Sequence, residues 1–103
     1  MIYKFRSKAA GDVIMLGANG RQVLTLMGKA PDAKGILEPG DMPGASAALQ
    51  AAIEADDQRR AEQGATDEPG ERPDAISLRQ RAWPLVEMMK RAHAADEPIT
   101  WGV

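Results

Sequence analysis

The strongest constraint on the fold is a polar segment at residues 58–73, which contains no large apolar side chain. Because this segment has little apolar surface to bury, it cannot offset the entropy lost when its backbone is ordered. We therefore predict a mobile polar loop there, with a helix on each side. A chain of 103 residues supports one hydrophobic core, so residues 1–103 are predicted to form a single domain.

Alternating side chains predict a strand at the start of the chain. Residues 1–6 have one apolar side that carries Tyr3 and Phe5, and a second side that is partly polar. A β-rich apolar run at residues 12–16 predicts a second strand, which would pair with the first as an antiparallel hairpin. Residues 99–101 predict a short terminal strand or a docked tail.

The segment after the hairpin leaves two alternatives open. Residues 17–20 (Gly-Ala-Asn-Gly) fit either a tight turn into another strand or the start of a helix capped by Asn19. Residues 21–27 have their apolar side chains at helical spacing, and Gly28 suits a helix end, so a short helix is favoured. If residues 21–27 are a strand, the sheet gains a member and the fold class does not change.

Two longer helices are predicted from apolar stripes at helical spacing. The first begins at Asp41 as N-cap, with Pro43 in its first turn. The second is expected to run from an N-cap at Asp74 to about Ala94. Pro84 lies inside it and predicts a kink or a break, because proline lacks the amide donor and clashes with the preceding turn.

The remaining connection, residues 29–40, contains two prolines and two glycines. We predict an irregular segment that presses Ile36 and Leu37 onto the core. The predicted fold class is α+β: a small antiparallel sheet of residues 1–6 and 12–16, with 99–101 as a candidate third strand, packed with one short and two long helices.

Composition excludes several classes of function. The chain has no cysteine, which removes disulfides, thiolate metal sites and thiol nucleophiles and agrees with a cytoplasmic location. Its formal net charge of -2 does not provide the basic surface that nucleic acids or anionic membranes attract. The first residues are too charged for a signal peptide, and no apolar run is long enough to cross a bilayer. We therefore expect neither nucleic acid nor membrane as a partner.

Catalytic chemistry is also weakly represented. His93 is the single histidine, and a position near a helix end explains it better than a role as metal ligand beside Asp96 and Glu97. Three acidic residues lie close together at Glu54, Asp56 and Asp57. We interpret them as solvated helix surface, because they lack the ligand spacing of a calcium-binding loop. The sequence therefore predicts no enzyme, no catalytic or metal-binding residues and no cofactor.

Two stretches are candidates for binding. The apolar face of the last helix is wider than one narrow stripe, because it carries Trp83, Val86 and Met89 beside Met88. This width predicts that the protein forms a homo-oligomer or binds a protein partner through these residues. A helix buried on two sides within the monomer is an equally acceptable interpretation. The alternative function is a small-ligand or phosphometabolite binder that uses the Gly17–Arg21 turn, although this turn lacks the known phosphate-binding motifs and a plain tight turn is favoured.

Several segments resemble a known family. The resemblance lies in five segments: Tyr3–Met15, Gly28–Lys29, Gly35–Ile36, Arg81–Leu85 and Trp101–Gly102. In these segments the chain resembles a family of small proteobacterial proteins that is catalogued only as a domain of unknown function. The resemblance implies a bacterial, cytosolic, single-domain protein and transfers no functional residues. The leading hypothesis is a small soluble non-enzymatic module for interaction or regulation that self-associates.

Overall fold

The computed structural model describes residues 2–64 and 77–102 and has an α+β fold, as predicted. Its strands are β1 (Ile2–Ser7), β2 (Ala10–Leu16), β3 (Gly35–Leu37) and β4 (Ile99–Trp101). Its helices are α1 (Gly17–Leu26), α2 (Met42–Gly64) and α3 (Leu78–Ala94), with a 3₁₀ turn at Pro39–Asp41 before α2.

The four strands form one antiparallel sheet in the order β2-β1-β4-β3. The predicted hairpin is confirmed, with Ile2 opposite Leu16 and Phe5 opposite Val13. The predicted strand at the end of the chain is confirmed as well. It lies between β1 and β3, so Trp101 pairs with a residue on either side.

The prediction of an irregular connection over residues 29–40 was wrong in part, because residues 35–37 form β3. Leu37 is buried as predicted, whereas Ile36 points away from the core and is 42% exposed. A three-residue strand carries no readable alternation, and this one exists because β4 supplies its hydrogen-bonding partner.

Helices α1 and α3 pack against one face of the sheet, which we call the inner face, and α2 packs against both of these helices. This face buries Tyr3, Phe5, Met15, Leu37, Ile99 and Trp101. The Phe5 ring lies 6.1 Å from the Tyr3 ring and 5.7 Å from the Trp101 ring, centroid to centroid. The buried polar atoms of the two flanking rings are satisfied, because the Tyr3 hydroxyl donates to the carbonyl of Pro31 and the Trp101 indole donates to that of Asp32, each at 3.2 Å.

The segment after β2 is helical, which confirms the favoured alternative, but its predicted start was wrong. Helix α1 begins at Gly17, and Leu16 occupies the N-cap position without a side-chain cap, so Asn19 is not the cap. Gly28 ends the helix as predicted, with a φ of +84° that favours glycine. The amide of Lys29 donates to the carbonyl of Leu24 at 2.9 Å and closes the helix end.

Helices α2 and α3 form an antiparallel pair whose predicted bounds need correction. Helix α2 continues to Gly64, so residues 58–64 are helical rather than part of a loop, and residues 65–73 lie outside the described residues. Helix α3 is capped by Ser77 instead of Asp74, which also lies outside them. Ser77 and Gln80 form a capping box, and α3 continues without a break through Pro84.

Asp56 joins the two long helices. Its side chain accepts hydrogen bonds from Arg59 at 2.5 Å and Arg60 at 3.0 Å on its own helix, and from the amide of Leu78, the first residue of α3, at 3.1 Å. Burial of the carboxyl group raises its pKa, but the Leu78 amide and the two guanidinium groups outweigh this effect, so the pKa of Asp56 lies below its ordinary value of 3.8. The ionised carboxylate therefore stabilises the fold.

We expect Asp56→Asn to lower the free energy of unfolding by about 1–3 kcal/mol at pH 7, because it removes a charge-assisted link between α2 and α3. A carboxyl group with a lowered pKa stabilises the folded state above its unfolded pKa, and this contribution is lost as the pH falls through the folded pKa. Urea denaturation should thus show a difference between the two proteins that is full near pH 7 and shrinks below about pH 4.

The control for this measurement is Asp57→Asn, which removes an exposed ion pair with Arg79 at 2.8 Å. We expect it to cost less than about 1 kcal/mol. Equal losses for the two variants, or a loss in Asp56→Asn that does not depend on pH, would contradict the role assigned to Asp56.

Candidate functional site

The residues considered for metal binding do not form a site. His93 is exposed at the end of α3, beside a small cleft between the ends of α2 and α3. Asp56 and Asp57 are engaged in the contacts between α2 and α3 described above. Within residues 2–64 and 77–102, no three His, Cys, Asp or Glu side chains come together as metal ligands would.

The apolar face predicted on the last helix is used inside the monomer. Val86, Met88 and Met89 belong to the core, and Val86 and Met89 are no more than 1% exposed. Trp83 is half-buried, with the charged groups of Arg79 and Lys90 at 5.1 and 5.4 Å from its ring centroid. Of the three predicted contact residues Trp83, Val86 and Met89, only Trp83 reaches the surface. Helix α3 is buried on two sides, because it packs against both α2 and β2.

The predicted Gly17–Arg21 turn is the first part of α1 and not a loop. Within it, the side-chain oxygen of Asn19 accepts a hydrogen bond from the guanidinium of Arg81 on α3 at 2.8 Å. Gly20 is buried against Tyr3, and a Cβ atom at Gly20 would lie 2.5 Å from Cδ1 of that ring. Asn19 and Gly20 therefore serve packing of α1 against α3 and β1, and ligand binding at residues 17–21 stays a prediction.

The sheet has an outer face that none of the described elements covers. Its apolar end is formed by Ile2 and Ile14, each 58% exposed, and Leu16, 67% exposed. Ile2 and Leu16 are directly opposite each other on β1 and β2, and Ile14 is opposite Lys4. The other end of the outer face is charged, so the two ends favour different kinds of contact.

Strand β2 forms an edge of this sheet. Among the described strands it pairs only with β1, so its other side presents backbone amide and carbonyl groups over a strand of seven residues. The strand contains no lysine or proline, which are the residues that commonly prevent pairing of edge strands. A long edge with exposed Ile14 and Leu16 is suited to pair with another strand.

A cleft of about 430 Å³ lies at the charged end of the outer face. Its walls are formed by Arg6, Ser7, Lys8, Asp12, Glu97, Pro98 and Thr100. Asp12 lies 3.9 Å from the Lys4 ammonium and 4.0 Å from the Arg6 guanidinium, which are loose ion pairs. The cleft thus joins the β1–β2 hairpin to the segment that leads into β4.

The sequence missed the outer face and the cleft as sites. The alternation of residues 1–6 did indicate a half-buried strand, and that pattern placed Ile2 outside. It did not indicate that β2 would be an edge, nor that residues 97–100 would reach the hairpin, because both depend on the position of β4 in the sheet. None of the described helices combines the length and the apolar character needed to span a membrane.

Comparison with known proteins identifies a family. The family model described as Domain of unknown function (DUF1840) matches residues 1–101, which is nearly the whole chain. No curated protein and no solved structure matches.

We expect Gly20→Ala to lower the free energy of unfolding by about 1–3 kcal/mol, because the added methyl group overlaps the buried Tyr3 ring. The matched control is Gly44→Ala in α2, where a Cβ atom meets no heavy atom within 4 Å. Alanine stabilises helices relative to glycine by about 0.5–1 kcal/mol, so the control should be neutral or stabilising. Thermal and urea denaturation measure both changes, and a stable Gly20→Ala protein would refute the packing role.

Proposed function

The chain belongs to the DUF1840 family, a domain of unknown function, and on this premise we propose that it is a non-enzymatic interaction module whose partner is a second copy of itself. The observation that carries the proposal is the outer edge of β2, which pairs with no other described strand and carries exposed Ile14 and Leu16 on the outer face. A regulatory role would follow if self-association controls access to another surface of the protein.

Backbone chemistry supports pairing between two copies of β2. An edge strand presents donors and acceptors in a regular row, and a second copy of the same strand, turned antiparallel, presents the complementary row. The two sheets would then join into one continuous sheet. This type of contact is isologous, so it closes after two copies and does not lead to a filament.

Side chains favour one register of this pairing. Opposite residues in an antiparallel pair lie on the same face, so a pairing centred on Met15 sets Ile14 against Leu16 of the second copy. Both side chains are more than half exposed in the monomer and would lose solvent contact together. Ile2, which lies opposite Leu16 within the monomer, extends the same apolar patch.

The size of this contact predicts its strength. Stable protein interfaces bury about 1,600 Å² in total. A pairing centred on Met15 offers a smaller area, because α1 begins at Gly17 and only residues 14–16 of each β2 lie opposite strand residues of the second copy. We therefore expect a dimer that forms with rising concentration rather than an obligate one. The half-buried Trp83 on α3 is not needed for this contact, since the proposed interface lies along the β2 edge.

The test is light scattering coupled to size-exclusion chromatography over a range of concentrations up to high micromolar. The wild-type protein should approach twice the mass of 11.1 kDa as its concentration rises. Ile14→Glu should remain monomeric, because a carboxylate at the interface must be desolvated for the strands to pair. Glutamate at this position faces Lys4 within the monomer, so the variant is expected to fold.

The matched control is Ile36→Glu, which makes the same change on β3 at the opposite edge of the sheet. It should dimerise like the wild type, and circular dichroism should show that both variants are folded. A wild type that stays monomeric at high micromolar concentration would exclude self-association. Loss of the dimer in Ile36→Glu but not in Ile14→Glu would move the interface away from β2.

A further inference from the structure

The cleft at the charged end of the outer face is lined by charged groups of both signs, Arg6, Lys8 and Glu97, and among the described residues their side chains make no ion pair closer than the loose one between Arg6 and Asp12. We propose that it binds a small zwitterion that carries a carboxylate and an ammonium group, the chemistry of a free α-amino acid. This inference does not depend on dimerisation, because the pairing centred on Met15 joins the apolar ends of the two sheets and leaves the hairpin end of each cleft open.

The positive side of the cleft is provided by Arg6 and Lys8. The guanidinium of Arg6 has a loose ion pair with Asp12 at 4.0 Å and no hydrogen bond among the described residues, so its fork of N–H donors is available. The ammonium of Lys8 is exposed and has no ion pair with the described residues. Guanidinium groups bind carboxylates through two parallel hydrogen bonds, and a lysine nearby adds attraction.

The negative side is provided by Glu97. Its side chain is half-buried in the cleft wall and forms no ion pair with the described part of the chain. The other carboxylate, Asp12, is already offset by Lys4 at 3.9 Å and by Arg6. Glu97 therefore adds a negative charge to the cleft wall that the ammonium group of a ligand can pair with.

The position of Glu97 is fixed by the backbone. Its amide donates to the carbonyl of Ala92 at 2.9 Å, which closes the end of α3, and Pro98 follows directly. On the opposite wall, Arg6 is held in the sheet opposite Thr100 of β4. The backbone that carries each charge is therefore fixed before a ligand arrives, and only the two side chains have to be ordered on binding.

The size of the cleft agrees with a small ligand. A volume of about 430 Å³ lies within the range of small-molecule sites, and the hydroxyl group of Thr100 adds a donor and an acceptor to the lining. An inorganic anion alone would leave Glu97 without a partner and would be repelled by it. This charge arrangement therefore favours a zwitterion over phosphate or acetate.

The test is a titration of the full ¹⁵N-labelled chain, followed by amide chemical shifts, with L-alanine, L-glutamate and L-lysine as zwitterionic probes. At least one of them should cause saturable shifts confined to residues 6–8, 12, 97 and 99–100, with a Kd of about 1 mM or lower. Acetate and methylammonium each carry one of the two charges, and each should bind at least about tenfold more weakly.

Two variants complete the test. Arg6→Gln and Glu97→Gln should each weaken binding of the probe by about tenfold or more, because each removes one charge-assisted contact. The control Glu54→Gln makes the same change at an exposed position of α2 and should bind like the wild type. The proposal is refuted if no amino acid causes saturable shifts, if acetate binds as well as the amino acids, or if Glu97→Gln binds unchanged.

Discussion

The fold depends on the insertion of the last strand into the middle of the sheet. Trp101 lies between Phe5 on β1 and Gly35 on β3, in register with both. A side chain at residue 35 would meet the indole, since its Cβ atom would lie 2.5 Å from Cζ2 of Trp101. Glycine there allows β3 to pair with β4, and the bond from the indole to the carbonyl of Asp32 holds the preceding loop. Strands from both ends of the chain are thereby joined in one sheet, and the described helices pack on one side of it.

Placing every described helix on one face has a direct consequence for function. The large apolar side chains of α3 are buried in the core beneath the inner face. They include Val86 and Met89, which the sequence had suggested as a contact surface. On the outer face, Ile14 and Leu16 are exposed at the apolar end, and charged side chains line the cleft at the other end. The candidates for self-association and for ligand binding therefore lie on the sheet, because the helices have already used their apolar faces within the monomer.

The elements predicted correctly are those with a local signal. The alternation of apolar and polar side chains identified β1, and the helical spacing of apolar residues before Gly28 identified α1. Similarity in short segments along the chain identified a family of unknown function. The errors have physical causes outside the local pattern. Helix α2 runs past residue 58 because Asp56 pairs with Arg59 and Arg60, which stabilises a turn that has no apolar side chain to bury. The bacterial origin and the cytoplasmic location stay predictions.

The sequence by itself determined the α+β class, the hairpin and the type of each long element, because periodicity and turn chemistry act over a few residues. Only the tertiary structure decided which strand is an edge, which face is left open and which charges meet in the cleft. Those outcomes depend on pairings such as Arg6 with Thr100, between residues at opposite ends of the chain. A local pattern shows that a side chain lies on one side of a strand, whereas the partner beside that strand is chosen by the packing of the whole domain.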